Sequence, residues 1–311
     1  MTLAEQFSAY GRWRGGAIDA VTKLRNWLSR NDVGDAQADL RLQYLVDRLR
    51  EDKLTIAFVA EFSRGKSELI NAIFFSDYGD RILPSSAGRT TMCPTELQWS
   101  PGARPELRLL PIATRALQAP VSELKRTPEA WTVEPLAADS AGELQTALAR
   151  VGEVERVTQD EAERLGFKVD PKGEEGLKPG ADGLVEVPSW RHAVIQFPHP
   201  LLEQGLVVLD TPGLNAIGAE PELTLSLLPN AHAVLFILAA DTGVTQSDLA
   251  VWRDYVTNGQ SRQKGRLVVL NKIDGLWDGL REESQIQAEL DRQVRTVAET
   301  LEVDEIGRAH V

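Results

Sequence analysis

Four short runs of almost unbroken apolar residues constrain this chain more than any other feature: Leu54–Val59, Leu206–Leu209, Ala233–Leu238 and Leu267–Leu270. A half-buried strand alternates apolar and polar residues, whereas a strand covered on both faces does not. Between the runs lie stretches of helical period, and helices are predicted at 66–75, 221–228, 246–256 and 281–302. The last places Ile286, Leu290, Val294, Val297 and Leu301 on one face. Continuous apolar strands alternating with helices give an α/β fold, with a mostly parallel central sheet flanked by helices. Ahead of the first run, residues 1–52 read as two helices. Their stripes are Ile18, Val21, Leu24 and Leu28, then Leu42, Leu45, Val46 and Leu49, with turn residues Asn31 to Asp35 between.

In open parallel sheets ligands bind outside the carboxyl ends of the strands, so the residues that end each run matter most. The run 54–59 leads into Ala60-Glu61-Phe62-Ser63-Arg64-Gly65-Lys66-Ser67 and then a helical stretch from Glu68 to Ile73. A phosphate loop needs backbone N–H groups aimed at phosphate oxygens from a helix N-terminus. It also needs a Lys for the β- and γ-phosphates and a hydroxyl for Mg2+, roles that Gly65, Lys66 and Ser67 fit. The plain alternative is a surface turn at the head of an ordinary helix. Arg64 is expected as a solvated side chain of this loop rather than an internal arginine finger.

The run 206–209 ends in Asp210-Thr211-Pro212-Gly213-Leu214. An acid there, beside the phosphate-loop strand, can hold Mg2+ through water, and the Gly213 N–H can approach a γ-phosphate unobstructed. A simple turn after a strand is the alternative. The run 267–270 ends in Asn271-Lys272-Ile273-Asp274. The Asp274 carboxylate can accept from the N1–H and N2–H2 of guanine, Asn271 can brace a loop, and the Lys272 stem can lie along the base. A helix N-cap at Asp274 is the alternative. Three such motifs, in this order and each at a strand end, point to guanine nucleotide with Mg2+. Between the first two lies Leu83 to Leu97, rich in Gly, Ser and Thr before it becomes a strand. Thr91, with Thr90 next, is expected to close over the γ-phosphate and Mg2+. Cys93 reads as a small packing residue.

Composition excludes several classes. Hydrophobic residues are 42% of 311, enough for a real core. One cysteine rules out a disulfide framework and a Cys-based zinc site, and the histidines at 192, 199, 232 and 310 lack ligand spacing. A net charge of −12, from 34 basic and 46 acidic residues, argues against nucleic acid as a partner. The longest apolar run, Ala233 to Ala240, is too short to span a bilayer, and the N-terminus lacks a signal-peptide pattern. The expected location is cytoplasmic, at most peripheral to a membrane. Residues 101–190 are irregular, with helices expected near 141–150 and 158–165 and a mobile loop from Asp170 to Gly183. They read as an insertion into the α/β domain.

These elements resemble the dynamin superfamily of large GTPases, and within it bacterial dynamin-like proteins, over residues 54–303. The carrying residues are Glu61 to Ser67, Arg89-Thr90-Thr91-Met92-Cys93-Pro94-Thr95, Asp210 to Leu214 and Asn271 to Asp274, with a wide gap between Thr91 and Asp210. The resemblance implies a GTPase domain over 53–305, preceded by part of a helical bundle over 1–52. It implies Mg2+-dependent GTP hydrolysis, self-association through the GTPase domain, and membrane remodelling or scaffold assembly on a lipid surface reached by a later segment. In its terms the loop Glu61, Phe62, Ser63, Arg64, Gly65, Lys66 and Ser67 contacts nucleotide. Lys66 binds phosphate, and Ser67, Thr91 and Asp210 serve Mg2+. Ser63 supports catalysis and, in some members, a monovalent cation. Thr91 positions water, Asp210 and Gly213 sense the γ-phosphate, and Asn271, Lys272 and Asp274 form the guanine site.

Two residues depart from the pattern. Ala60 replaces the usual glycine, and Phe62 stands where eukaryotic dynamins carry a helpful glutamine; an apolar ring cannot orient water by hydrogen bonding. No glutamine follows Gly213 either, so hydrolysis is expected to be slow alone and to rise on self-association. A GTP-gated interaction module with little hydrolysis, or a ribosome- or tRNA-associated GTPase, are the competing readings. A guanine-binding domain of this kind needs one more strand after 281–302, and no apolar run follows. Ile306 to Val311 back-translates readily as the start of a common sequencing adapter, so 306–311 is expected to be a non-native tail outside the fold.

Overall fold

The computed structural model describes residues 3–31, 33, 36–51, 53–61, 63–83, 93–100, 102–117, 119–171, 176–212, 228, 231–257, 265–277, 282–303 and 306–308. Each apolar run forms a strand: β1 Leu54–Ala60, β8 Leu206–Asp210, β9 Ala233–Ala239 and β10 Gly265–Asn271. Between β1 and β8 lie β2 Thr95–Gln98, β3 Glu106–Pro111, β4 Thr132–Pro135, β5 Val154–Val157, β6 Val185–Pro188 and β7 Trp190–Gln196, and β11 Ile306–Arg308 comes last. The main sheet has nine strands in the order β11-β10-β9-β1-β8-β2-β7-β3-β4.

β1 is central. It runs parallel to β8, with Ala57 opposite Leu209, and parallel to β9, with Ala57 opposite Val234. Its residues alternate between two cores, which is why the run reads as unbroken. Phe58 and Ala60 join one cluster with Ile70, Phe74, Val208 and Ile237. Ala57 and Val59 join the other with Leu209, Phe236, Leu270 and Leu290. The helix Glu283–Leu301 covers the second face with Ile286, Leu290, Val297 and Leu301 buried. At β2 the direction changes: it is antiparallel to β8 and parallel to β7, and β3 and β4 follow antiparallel.

The stretch 101–190 is not set apart from this sheet. It supplies β3 and β4 to the sheet's edge, and β5 pairs with β6 in a separate two-stranded ribbon. That ribbon covers its own small core of Ile112, Ala162, Phe167, Val185 and Val187. The helices expected near 141–150 and 158–165 are present as Ala141–Ala149 and Gln159–Arg164. The expected helix 246–256 is shorter, Gln246–Val251, and continues as a π-turn over Trp252–Thr257. Most of the expected helix 221–228 lies outside the described residues. Of the loop 170–183, residues 172–175 lie outside them, and the flanks are tied: Asp170 N donates to Leu177 O at 3.0 Å.

Helix α1, Leu3–Arg30, and helix α2, Ala36–Glu51, form a hairpin ahead of the sheet. The Arg25 guanidinium joins them by donating to Asp39 at 2.5 and 2.9 Å. Tyr10, Trp13, Leu24 and Trp27 remain exposed on α1. Among the described residues no helix is long and apolar enough to cross a membrane.

One expectation is corrected. Residues 306–308 do enter the fold: β11 pairs in parallel with β10, Val268 opposite Ile306 and Leu270 opposite Arg308. What is corrected is the expected want of a further strand, which rested on the lack of an apolar run. An edge strand needs only backbone N–H and C=O groups in register, and three residues can supply them.

Candidate nucleotide site

The carboxyl ends of β8, β1, β9 and β10 lie side by side, and the three motifs leave the sheet there. β1 ends at Ala60, fully buried opposite Ile237. Ala60 is not among the residues with positive φ, so its methyl group meets no backbone strain and packs in the core. The left-handed conformations fall later in the loop, at Ser63 with φ 62° and at Gly65 with φ 83°. Helix α3, Lys66–Phe74, starts directly after Gly65. A Cβ on Gly65 would stand 2.4 Å from Asn271 Nδ2. Glycine is required at 65 by both conformation and space.

That close approach has a purpose. Asn271 ends β10 and is buried, and its Nδ2 donates to the Arg64 carbonyl at 3.0 Å. The guanine motif thus braces the phosphate loop across the sheet. Lys66, at the head of α3, forms a buried ion pair with Asp210 Oδ1 at the end of β8. Thr211 anchors the next turn, donating from Oγ1 to Phe58 O at 2.8 Å. Ser67 is half-buried beside Lys66, and Ser63 is exposed. Lys272 is left-handed with φ 57°, and its Nζ lies 3.6 Å from Asp241 Oδ2. Asp274 is exposed in the 3-10 turn Ile273–Leu276, for which Lys272, not Asp274, is the N-cap residue. Phe62, Thr91, Thr90 and Gly213 lie outside the described residues.

Arg64 corrects the expectation of a solvated side chain: it is only 5% exposed. Its Nη2 donates to Glu61 Oε2 at 2.8 Å and to Asp248 Oδ2 at 3.1 Å, and its Nη1 donates to Thr242 Oγ1. Asp248 is wholly buried at the start of the helix Gln246–Val251, in a reciprocal cap with Thr245. Ser247 Oγ donates to Glu61 Oε1 at 2.5 Å and Thr245 Oγ1 to Glu61 Oε2 at 3.2 Å. Burial pushes the Glu61 carboxyl up. The Ser247 hydrogen bond, the Arg64 charge and the Thr245 hydrogen bond outweigh it and hold the group below the usual range. Sequence reasoning missed Thr242, Thr245, Ser247 and Asp248. The available signal was the cap pattern Thr245-Gln246-Ser247-Asp248 just after an apolar strand.

A further missed residue is Asn71 on α3. Its Oδ1 accepts from Leu83 N at 2.7 Å and Ile82 N at 3.2 Å, and its Nδ2 donates to Leu83 O at 3.1 Å. It fixes the chain to α3 immediately before the segment that carries Thr91.

The chain spans 15% of the length of a curated relative, the bacterial dynamin-like protein of Nostoc punctiforme, to which it is 30% identical over 116 residues, 37% of this chain. Solved structures of an oligomerised bacterial dynamin pair, described as sensing and tethering membranes, share the fold. One superposes with a TM-score of 0.55 at 15% identity, covering 97% of this chain and 46% of that one. Another gives 0.53 at 16% identity, covering 98% and 38%. The dynamin family model matches residues 56–273, from the middle of β1 to just beyond β10, and so takes in the first two strand-end motifs and the third as far as Ile273. On that match the chain belongs to the dynamin family.

Proposed function

We propose that this chain binds GTP with Mg2+ and hydrolyses it to GDP and phosphate. The observation that carries the reading is the meeting of Lys66, Asp210 and the loop at Arg64, braced by Asn271, at the carboxyl ends of neighbouring parallel strands. Backbone N–H groups at the head of α3 face a phosphate, with Lys66 beside them. Ser67 and Asp210 are hard oxygen donors on either side of Lys66, which fits Mg2+; Thr91 completes the proposed set. Such a site needs few protein ligands, because phosphate oxygens and water supply the rest. When bound, the ion neutralises charge that builds on the β- and γ-phosphate oxygens.

The residues then divide the work. Asp210 neutralises Lys66. With phosphate bound, Lys66 would turn to it, and Asp210 would be free to help hold Mg2+. Asn271 holds the loop, the Lys272 stem covers the base, and Asp274 accepts from guanine. Thr91 orients the attacking water, and Ser63, which is exposed, supports catalysis and takes a monovalent cation in this reading. Catalysis here is positioning and charge stabilisation. Self-association through this domain and work at a membrane surface belong to the same proposal. They are supported by the family and by relatives described as oligomerised and membrane-tethering.

The test is binding and turnover of fluorescent and unlabelled guanine nucleotide. Lys66→Ala is expected to abolish measurable binding. Asp274→Ala is expected to remove the preference for guanine over adenine while leaving the fold intact, as Asp274 is exposed. Binding without turnover would favour the interaction module, and equal affinity of the wild type for ATP would overturn the reading.

A further inference from the structure

Residue 64 is held at both ends. Its carbonyl accepts from Asn271 on β10, and its guanidinium is enclosed by Thr242 and Asp248, which follow β9. The residues on either side of it, Ser63 and Gly65, are both left-handed. For Ser63 that conformation is costly and persists only where the surroundings impose it.

The cluster is a poor stabiliser in its own right. Burying Arg64, Glu61 and Asp248 costs solvation, and Arg64 Nε and Asp248 Oδ1 keep no hydrogen-bond partner among the described residues. It also commits the Arg64 charge to two carboxylates. An arrangement that costs solvation and grips one loop residue from a neighbouring strand end is suited to setting geometry.

We propose that Asp248 and Thr242 are positioning residues for the nucleotide reaction. By gripping the Arg64 guanidinium they fix the backbone of 63–65, so that the amides at the head of α3 and Lys66 face the phosphates. The inference rests on the guanine-nucleotide reading above. It makes the segment after β9 part of the phosphate site.

A double-mutant cycle on the affinity for mant-GDP tests it, with Asp248→Asn, Arg64→Gln and the pair together. If Asp248 acts through Arg64, each single change weakens binding by about tenfold and the pair is no weaker than the worse single. KM rises while kcat changes little, and the preference for guanine over adenine is kept. A role of Asp248 in capping its own helix would lower only the melting temperature, or would make the two losses multiply; either result overturns the proposal. Should Asp248→Asn fail to fold, the cycle is run with Thr242→Val, at an exposed position. Its smaller loss, about threefold, must vanish in the Arg64→Gln background. A wild type that binds no mant-GDP overturns the nucleotide reading and this inference together, whereas a wild type that binds, with multiplying losses, overturns this one alone.

Discussion

The buried pair of Lys66 with Asp210 makes the sharpest statement available from single residues. Each side chain is 9% exposed, so each has given up most of its hydration for the other. The ligand chemistry proposed here needs both, but not together: Lys66 for phosphate, Asp210 for the water shell of Mg2+. Asp210 therefore competes with nucleotide for Lys66 until Mg2+ draws it away. Asp210→Asn should then act with opposite signs in two conditions. In EDTA the variant binds mant-GDP more tightly than the wild type, by about threefold to tenfold, because Lys66 is no longer neutralised. In Mg2+ it binds more weakly. A general loss of structure would weaken both, so equal weakening in the two buffers would refute the competition.

At the scale of elements, an ionic contact adds to the β3–β7 pairing in holding the stretch 101–190 to the sheet. Glu96 on β2 accepts from Lys125 Nζ at 2.6 and 2.7 Å, and His192 Nε2 on β7 lies 3.3 Å from Glu96 Oε1. Burial raises the Glu96 carboxyl, but the adjacent His192 and the charge and hydrogen bonds of Lys125 bring it down to about 2. A carboxyl depressed from 4.5 to about 2 contributes stability that is fully present above 4.5 and is lost as pH falls toward 2. The amount is about 3 kcal/mol. Glu96→Gln should lower the melting temperature at neutral pH and flatten the acid limb between those values, as read by circular dichroism. Identical acid limbs would count against the ionic tie. None of this was legible beforehand, because 29 residues separate Glu96 from Lys125 and only the register of β2 on β7 brings His192 near. The four apolar strands were legible because both their faces are packed. β3 was not: it alternates and carries Glu106 and Arg108. Arg64 misled for a similar reason, as its acceptor Asp248 lies 184 residues further on. β11 left no trace at all, since its pairing is carried by backbone.

For the whole molecule, what matters is how little positive charge the described residues bring to a γ-phosphate. Lys66 is the one cation of the phosphate loop placed to do so; Arg64 is turned into its cluster of carboxylates. Nor does the sequence put a glutamine after Gly213, and Phe62 cannot orient water. A phosphoryl-transfer site short of charge gains rate when a further group closes on it. On the self-association proposed above, that group comes from a second copy docked across the nucleotide. Turnover per molecule should therefore rise with protein concentration, by at least about tenfold between dilute and concentrated samples. Asp248→Asn should scale with concentration as the wild type does, since its defect lies in KM. Lys66→Ala should stay flat. Stopped-flow phosphate release across a dilution series, with light scattering to follow association, reads both at once. A rate per molecule that holds constant while scattering reports assembly would separate self-association from catalysis and leave the slow single-copy site as the whole enzyme.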